Sequence, residues 1–340
     1  MVQWVRRCNE AMKKNLTINT PGDDHQNRLL SYLKEQVPFH IHSINRIRSH
    51  VFFVKSKKVN FILKGFSSYH RMKLQESFTE SLKKEGFNKT YHFLNIFKDP
   101  PMLFDKKYYG CLEYITPSKE MFSYYQEKDR LEGLRLLRSF HHTTEKLVNR
   151  YQRLIPTFQL IDKWKERTNL FLDNLRIIQF FIKEDYTQEL IRWANWSLKG
   201  LEKEQGFFNH GNTVILHGDV AHHNFLRNQS NDLSLIDFDL IAIGKEKFDY
   251  LQYANRILPY LGWSLQELRK YEGINENLSE KGFLYALAFP TDIMREWNRI
   301  IKEKSYNNPK RVRPIIELTT AQFHMRKEFI KEIQLALKDL

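Results

Sequence analysis

The sequence is poor in cysteine, with two in 340 residues, Cys8 and Cys111. They stand far apart and show no metal-ligand spacing, so a disulfide framework is excluded and a reducing compartment of synthesis is expected. No run reaches the roughly eighteen apolar residues that a membrane span needs. The stretch from Phe171 to Ile182 is interrupted by Asp173, Asn174 and Arg176. The first eight residues carry Arg6 and Arg7 where a signal peptide has its apolar stretch. These absences predict a chain without a membrane span or a secretory leader, made in the cytoplasm. Internal repeats and low-complexity tracts are lacking too.

What is present can build a core. Hydrophobic residues make up 41% and aromatic residues 14%, which excludes wholesale disorder. The net charge is +14, from 54 Lys and Arg against 40 Asp and Glu. Such an excess attracts nucleotides, polyphosphates, anionic glycans or nucleic acid without choosing among them. The basic residues are dispersed, with only short clusters at Lys55-Ser56-Lys57-Lys58 and Lys310-Arg311-Val312-Arg313. That pattern predicts a solvated basic surface and no specific nucleic-acid site.

Along the chain, residues 27–36 read as a short amphipathic helix. Phe39 to Ile44 alternates, and Val51 to Val54 and Val59 to Lys64 read as strands joined by a lysine-rich turn. His70 to Glu85 has helical periodicity, with Met72, Leu74, Phe78 and Leu82 near one face and Gly86 as its stop. Tyr91 to Phe97 and Tyr108 to Ile115 read as further strands separated by the Asp99-Pro100-Pro101 breaker. After Pro117 the pattern turns to long helices over 122–150, 164–181 and 188–203, and it is helical again from Tyr250 to Leu340. The expected class is α+β, with residues 1–116 forming a small antiparallel-sheet domain and residues 117–340 a helical one.

The chemistry concentrates in two short segments. His217-Gly218-Asp219 ends the apolar stretch Val214-Ile215-Leu216, Asn224 follows five residues after Asp219, and Asp237 ends the apolar run Leu233 to Ile236. Phosphoryl transfer requires a carboxylate to orient the attacking hydroxyl, plus an amide and a carboxylate that suit a hard divalent cation on the phosphates. Asp219 fits the first role, and Asn224 and Asp237 fit the second. His217 is expected to order the loop by hydrogen bonding. Asp239 either contributes to a second metal or caps the turn. His222 and His223 adjoin the metal residues, but no further ligands at zinc-like spacing accompany them.

These segments resemble the aminoglycoside phosphotransferase and choline kinase-like superfamily. Closest in wording, around Asp219 to Trp263 and including Asp249-Tyr250-Leu251, are the kinase-like endospore coat proteins of spore-forming bacteria. The resemblance implies a two-lobed protein-kinase-like fold that binds ATP and Mg2+. It implies that Lys64, ending the strand Phe61-Ile62-Leu63, pairs with nucleotide phosphates and is held by a helix carboxylate. Counting back from Gly86 favours Glu76 for that carboxylate, with Glu80 open. The backbone of Glu113-Tyr114-Ile115 would meet adenine, and Asp249 would brace the catalytic loop or cap its own helix. His141-His142 is expected to be structural packing.

One departure stands out. The family covers the phosphates with a glycine-rich turn, whose backbone amides approach without side chains intervening. The corresponding stretch Asn45 to Val51 contains no glycine and carries Arg46, Arg48 and His50 instead. The expected function is an ATP- and Mg2+-dependent phosphotransferase acting on a hydroxyl of a small molecule or spore component, associated with the endospore coat. The alternative is a weak or inactive kinase-fold structural protein of that coat, with other coat proteins as partners. The charge also disfavours a cationic aminoglycoside as acceptor.

Overall fold

A computed structural model describes residues 23–97 and 101–340. Cys8, the charged N-terminal octet and the Asp99-Pro100 part of the expected breaker lie outside the described residues. Helix α1 (Asp23–Gln36) precedes a meander of β1 (Ile41–Arg48), β2 (Val51–Ser56) and β3 (Phe61–Phe66). Then come α2 (Tyr69–Lys84), the two-residue strands β4 (Phe93–Leu94) and β5 (Leu103–Phe104), and β6 (Lys107–Glu113). Three long helices follow, α3 (Glu127–Glu145), α4 (Leu160–Asp173) and α5 (Glu184–Lys203). Four short strands come next, β7 (Thr213–Leu216), β8 (Phe225–Arg227), β9 (Leu233–Leu235) and β10 (Ala242–Lys245). The chain ends in α6 (Lys247–Ile257), α7 (Lys281–Ala288), α8 (Thr291–Lys302), α9 (Pro309–Thr320) and α10 (Phe323–Asp339), with shorter helical turns between. The α+β class and its antiparallel sheet are as expected from the sequence, and no described helix is long and apolar enough to cross a membrane.

The chain divides into two compact units, and the division differs from the expected one. The first unit runs to Ser123 and includes His222–Leu240; the second comprises Tyr124–Ala221 and Ile241–Leu340. The boundary therefore falls after Ser123 and not after residue 116, and the segment carrying Asn224 and Asp237 folds with the first unit. The reason is local pairing. Ser118 donates its N–H to the Arg227 carbonyl at 2.8 Å, Leu235 donates to Lys89 at 2.9 Å, and Phe122 stacks on Phe225 at 4.7 Å.

In the first unit, six strands form one antiparallel sheet in the order β1-β2-β3-β6-β4, with β5 on β6. Leu29 and Leu33 of α1 pack with Ile41, Ile44, Phe52, Phe61, Leu63 and Tyr109 in its core. The buried residues of β1 recur at Ile41, Ile44 and Ile47 because the β1–β2 register shifts twice, between Ile41 and Ser43 and between Arg46 and Arg48. Such bulges turn the side-chain alternation by one position. The strand expected over 91–97 shrinks to Phe93–Leu94.

Helix α2 is capped by Ser68, whose hydroxyl accepts from the Arg71 N–H at 3.2 Å. Beyond its end Gly86 adopts φ +93°, a conformation that glycine enters without steric cost. In the second unit the helix expected over 122–150 starts only at Glu127 and stops at Glu145. The guanidinium of Arg130 donates to the carbonyls of Tyr124 and Tyr125 at 2.8 and 3.0 Å, which holds that segment out of helical geometry. Strands β7 and β10 pair antiparallel, and α3 anchors β7 through the Thr144 hydroxyl, which donates to the Ile215 carbonyl at 3.1 Å.

Candidate active site

The first unit gathers Lys64, Asp237 and Asp239. Lys64 sits in β3 with its side chain 7% exposed, and its ammonium donates to Asp237 Oδ1 at 3.0 Å and Asp239 Oδ1 at 2.8 Å. Asp237 follows β9 in the left-handed region at φ +73°, a costly conformation for a residue with a Cβ and one that recurs at functional sites. Arg48, the last residue of β1, donates to its other oxygen, Oδ2, at 2.6 Å. Burial pushes the Asp237 pKa up, but the nearby charges of Lys64 and Arg48 and their hydrogen bonds outweigh it. The carboxyl is held well below the usual carboxylate range.

The helix carboxylate expected beside Lys64 is a correction. Glu76 pairs with Lys73 at 2.8 Å, one turn away on its own helix, and Glu80 is exposed. The residue of α2 that reaches Lys64 is Gln75, whose Oε1 accepts from the ammonium at 3.4 Å and whose amide donates to Asp239. One position rotates a helical side chain by about 100°. The buried face of α2 runs through Met72, Gln75, Phe78 and Leu82, with Leu74 only half-buried. That spacing of three and four residues is the signal that identifies Gln75. Among the described residues, the anionic partners of Lys64 are Asp237 and Asp239.

Around this ion cluster the first unit forms a cleft of about 660 Å3, its solvent-open part included. Val51, Ile62, Leu112, Leu226 and Ile236 line it with apolar surface, and Glu113, Tyr114, Ile115 and Pro117 form one edge. The Glu113 N–H donates to the His92 carbonyl at 2.8 Å and its carboxylate accepts from the His92 N–H at 3.1 Å. Tyr114 packs its ring 4.5 Å from Phe53. Between β1 and β2, in place of a glycine-rich turn, stands a tight Ser49-His50 turn, with His50 at φ +57°. The close approach falls on the facing strand: Gly65 donates its N–H to the His50 carbonyl at 2.7 Å, and a Cβ there would lie 3.1 Å from that of His50.

Asn224 and Asp237 lie at one end of the β8–β9 hairpin. Phe225 pairs with Leu235, and the next N–H, of Ile236, donates to the Asn224 carbonyl at 2.9 Å. Asn224 is buried, at 1% exposure. Among the described residues no three His, Cys, Asp or Glu side chains converge to hold a metal. An amide and one or two carboxylates suit a magnesium ion that keeps most of its waters and arrives with phosphates, so the donor set fits that ion and no preformed cage. His222 and His223 form a short 3-10 turn with Asn224.

The second unit holds His217, Gly218 and Asp219, directly after β7. Asp249, at the start of α6 and 0% exposed, accepts from the N–H groups of His217 at 2.7 Å and Gly218 at 3.1 Å. It therefore braces the loop and does not cap its own helix. His141, expected from the sequence to be structural packing, has its Nε2 2.9 Å from the same carboxylate. Gly218 adopts φ +76°, which fixes the need for glycine in the loop. The buried His217 ring accepts the Asp219 N–H at Nδ1, 3.3 Å away, and the Tyr124 hydroxyl donates to the Val220 carbonyl at 2.6 Å. The Asp219 carboxylate is 31% exposed, with Arg256 Nη2 3.4 Å from Oδ1.

No family model and no curated protein matches this sequence. Solved structures do. An aminoglycoside phosphotransferase from Alicyclobacillus acidocaldarius subsp. acidocaldarius DSM 446 aligns over 90% of this chain and 95% of its own, with TM-score 0.65 at 16% identity. Spectinomycin phosphotransferase APH(9)-Ia, in an AMP-bound complex, aligns over 91% and 97% with TM-score 0.60 at 15% identity. The GDP complex of an aminoglycoside 2'-phosphotransferase-IIIa aligns over 90% and 99% with TM-score 0.57 at 12% identity. The chain has the fold of these phosphotransferases.

Proposed function

We propose that this protein is an ATP- and magnesium-dependent phosphotransferase that acts on a hydroxyl group. The observation that carries the reading is the Lys64–Asp237 contact inside an apolar cleft edged by Glu113 to Ile115. The AMP and GDP in two structural neighbours support a purine nucleotide in such a cleft. Lys64 would neutralise the phosphates, and Val51, Ile62, Leu112, Leu226 and Ile236 would sandwich the base. Magnesium, held by Asn224 and Asp237, would supply charge neutralisation on the transferred group. Asp219, on a loop fixed by Asp249 and His217, would accept a hydrogen bond from the acceptor hydroxyl and align it. The acceptor oxygen then forms a bond to the γ-phosphorus, the bridging P–O bond to the β-phosphate breaks and ADP leaves. The hydroxyl proton passes to Asp219.

The test is calorimetry of ATP with magnesium on the wild type and on Asp237→Ala. Binding by the former and its loss in the latter support the enzyme. A second reading is a kinase-fold structural protein of the endospore coat, whose neighbours would be other coat proteins. It is favoured by Arg48 and Lys64, which between them already occupy both carboxylate oxygens of Asp237. Silence of both proteins in the titration would support that reading.

A further inference from the structure

In the first unit the strand register aims two cations at one carboxylate. Arg48 is opposite Val51 across the β1–β2 pair, and Val51 is opposite Lys64 across the β2–β3 pair. Directly opposed residues of antiparallel strands share a face, so the three stand in one row, and all three line the cleft. Arg48 and Lys64 are two strand spacings apart, roughly 10 Å at the backbone. Their side chains nonetheless meet at Asp237, with Arg48 Nη2 2.6 Å from Oδ2 and Lys64 Nζ 3.0 Å from Oδ1. Lys64 is buried and is also held by Asp239 and Gln75, whereas the Arg48 side chain is 38% exposed.

The turn beside this row offers little to phosphates through its backbone. Only Ser49 and His50 separate β1 from β2, and the His50 carbonyl is bonded to the Gly65 N–H. Two residues leave too few amides to wrap a phosphate chain, so a side chain with several N–H donors has to take their place. Arg48 is the exposed cation of the row, and its planar fork matches carboxylate and phosphate alike. Where Asp237 binds magnesium, Arg48 must give up Oδ2. Nucleotide phosphates bring more negative charge than one divalent ion cancels, and that surplus suits the displaced guanidinium.

We propose that Arg48 is an exchange latch: without nucleotide it holds Asp237 and keeps divalent cations off that carboxylate, and with nucleotide it moves to the phosphates and admits magnesium. This rests on the phosphotransferase reading above. One arginine thereby guards the metal position and grips the nucleotide, so metal and nucleotide enter together.

The test compares the full chain with Arg48→Ala and Arg48→Lys in two titrations. One uses Mn2+ alone, followed by electron paramagnetic resonance, and the other uses ATP with magnesium, followed by calorimetry. Arg48→Ala is expected to tighten Mn2+ about threefold to fivefold, the worth of a partly exposed ion pair. The same variant is expected to bind ATP with magnesium about tenfold more weakly, the worth of a charge-assisted bond to phosphate. Arg48→Lys keeps a charge beside Asp237 but loses the fork, so Mn2+ affinity should stay near wild type while ATP affinity falls. A purely structural ion pair would lower the melting temperature and move neither affinity, and a purely blocking arginine would improve both. Either result would overturn the proposal, as would Mn2+ bound as tightly by the wild type as by Arg48→Ala. Arg48→Lys, which retains an ion pair with Asp237, keeps the fold if Arg48→Ala does not, and wild-type ATP affinity in it would also overturn the proposal. ATP binding by the wild type that neither variant weakens removes the latch alone. No ATP binding by the wild type, with or without magnesium, removes the phosphotransferase reading and the latch with it.

Discussion

The Lys64 ammonium donates to Asp237 at 3.0 Å although the two residues are 173 positions apart in the chain. Removing Lys64 would leave a buried carboxylate held by Arg48 alone, with Asp239 turning to water. Lys64→Ala is expected to lose about 1–3 kcal/mol of stability and to weaken nucleotide binding by an order of magnitude or more. Thermal melts and ATP titration check both. An unaltered affinity would take Lys64 out of the nucleotide site.

Glu76 and Gln75 should behave differently. Glu76→Ala removes an ion pair whose lysine is 47% exposed, and about 0–1 kcal/mol of stability with nucleotide affinity near wild type is expected. Gln75→Ala removes a buried amide that links Lys64 to Asp239, and a clear fall in affinity is expected. Reversed outcomes would restore Glu76 as the partner of Lys64.

Asp219→Ala is expected to keep the fold and nucleotide binding while turnover falls by roughly 10²- to 10⁴-fold, the usual contribution of a general base. ADP release with a phosphorylatable acceptor is the measurement. Turnover at the wild-type level would exclude Asp219 from the reaction.

Asp249→Ala would strand two backbone N–H groups and the His141 imidazole in a buried setting. A loss of about 3–5 kcal/mol is expected, because one member of a buried polar set is gone and the others stay. Denaturant unfolding tests this, and a midpoint close to wild type would show that the loop has another brace.

Acid should destabilise the protein through Asp237 and Asp292. Burial raises the pKa of each, but Lys64 and Arg48 in one case and Arg326 in the other lower it further, so both net shifts are downward from 3.8. Below the unfolded value the unfolded chain binds more protons than the folded one. The stability these groups supply is present above about pH 4 and is lost as pH falls through the folded pKa values. In melts recorded below about pH 4, the acid limb of Asp292→Asn should be shallower than that of the wild type. Parallel limbs would exclude Asp292 as a contributor.

Much of this was visible in the residues themselves. The hairpin of β2 and β3, helix α2 with its Gly86 stop, and the strand ends carrying Gly218 and Asp237 follow from period and turn chemistry. Counting back from Gly86 points to Glu76, with Glu80 open, because a carboxylate is expected there; the buried face through Met72, Gln75, Phe78 and Leu82 instead puts the Gln75 amide beside Lys64. The non-alternating burial of β1 depends on bulges that only the partner strand reveals. The brace of His141 on Asp249 joins residues 108 positions apart, and no local spacing announces it.

By itself the sequence determined which segments could be helix or strand, and which polar residues had to sit at strand ends, because hydrophobic period and backbone preference act within a few residues. Only the tertiary structure decided that Arg48 and Lys64 flank Asp237, that Asp249 holds the His217–Gly218 amides, and that Arg256 faces Asp219. Those contacts join elements separated by 31 to 189 residues. Charge pairing depends on where distant parts of the chain meet, and that is set by how the whole core packs.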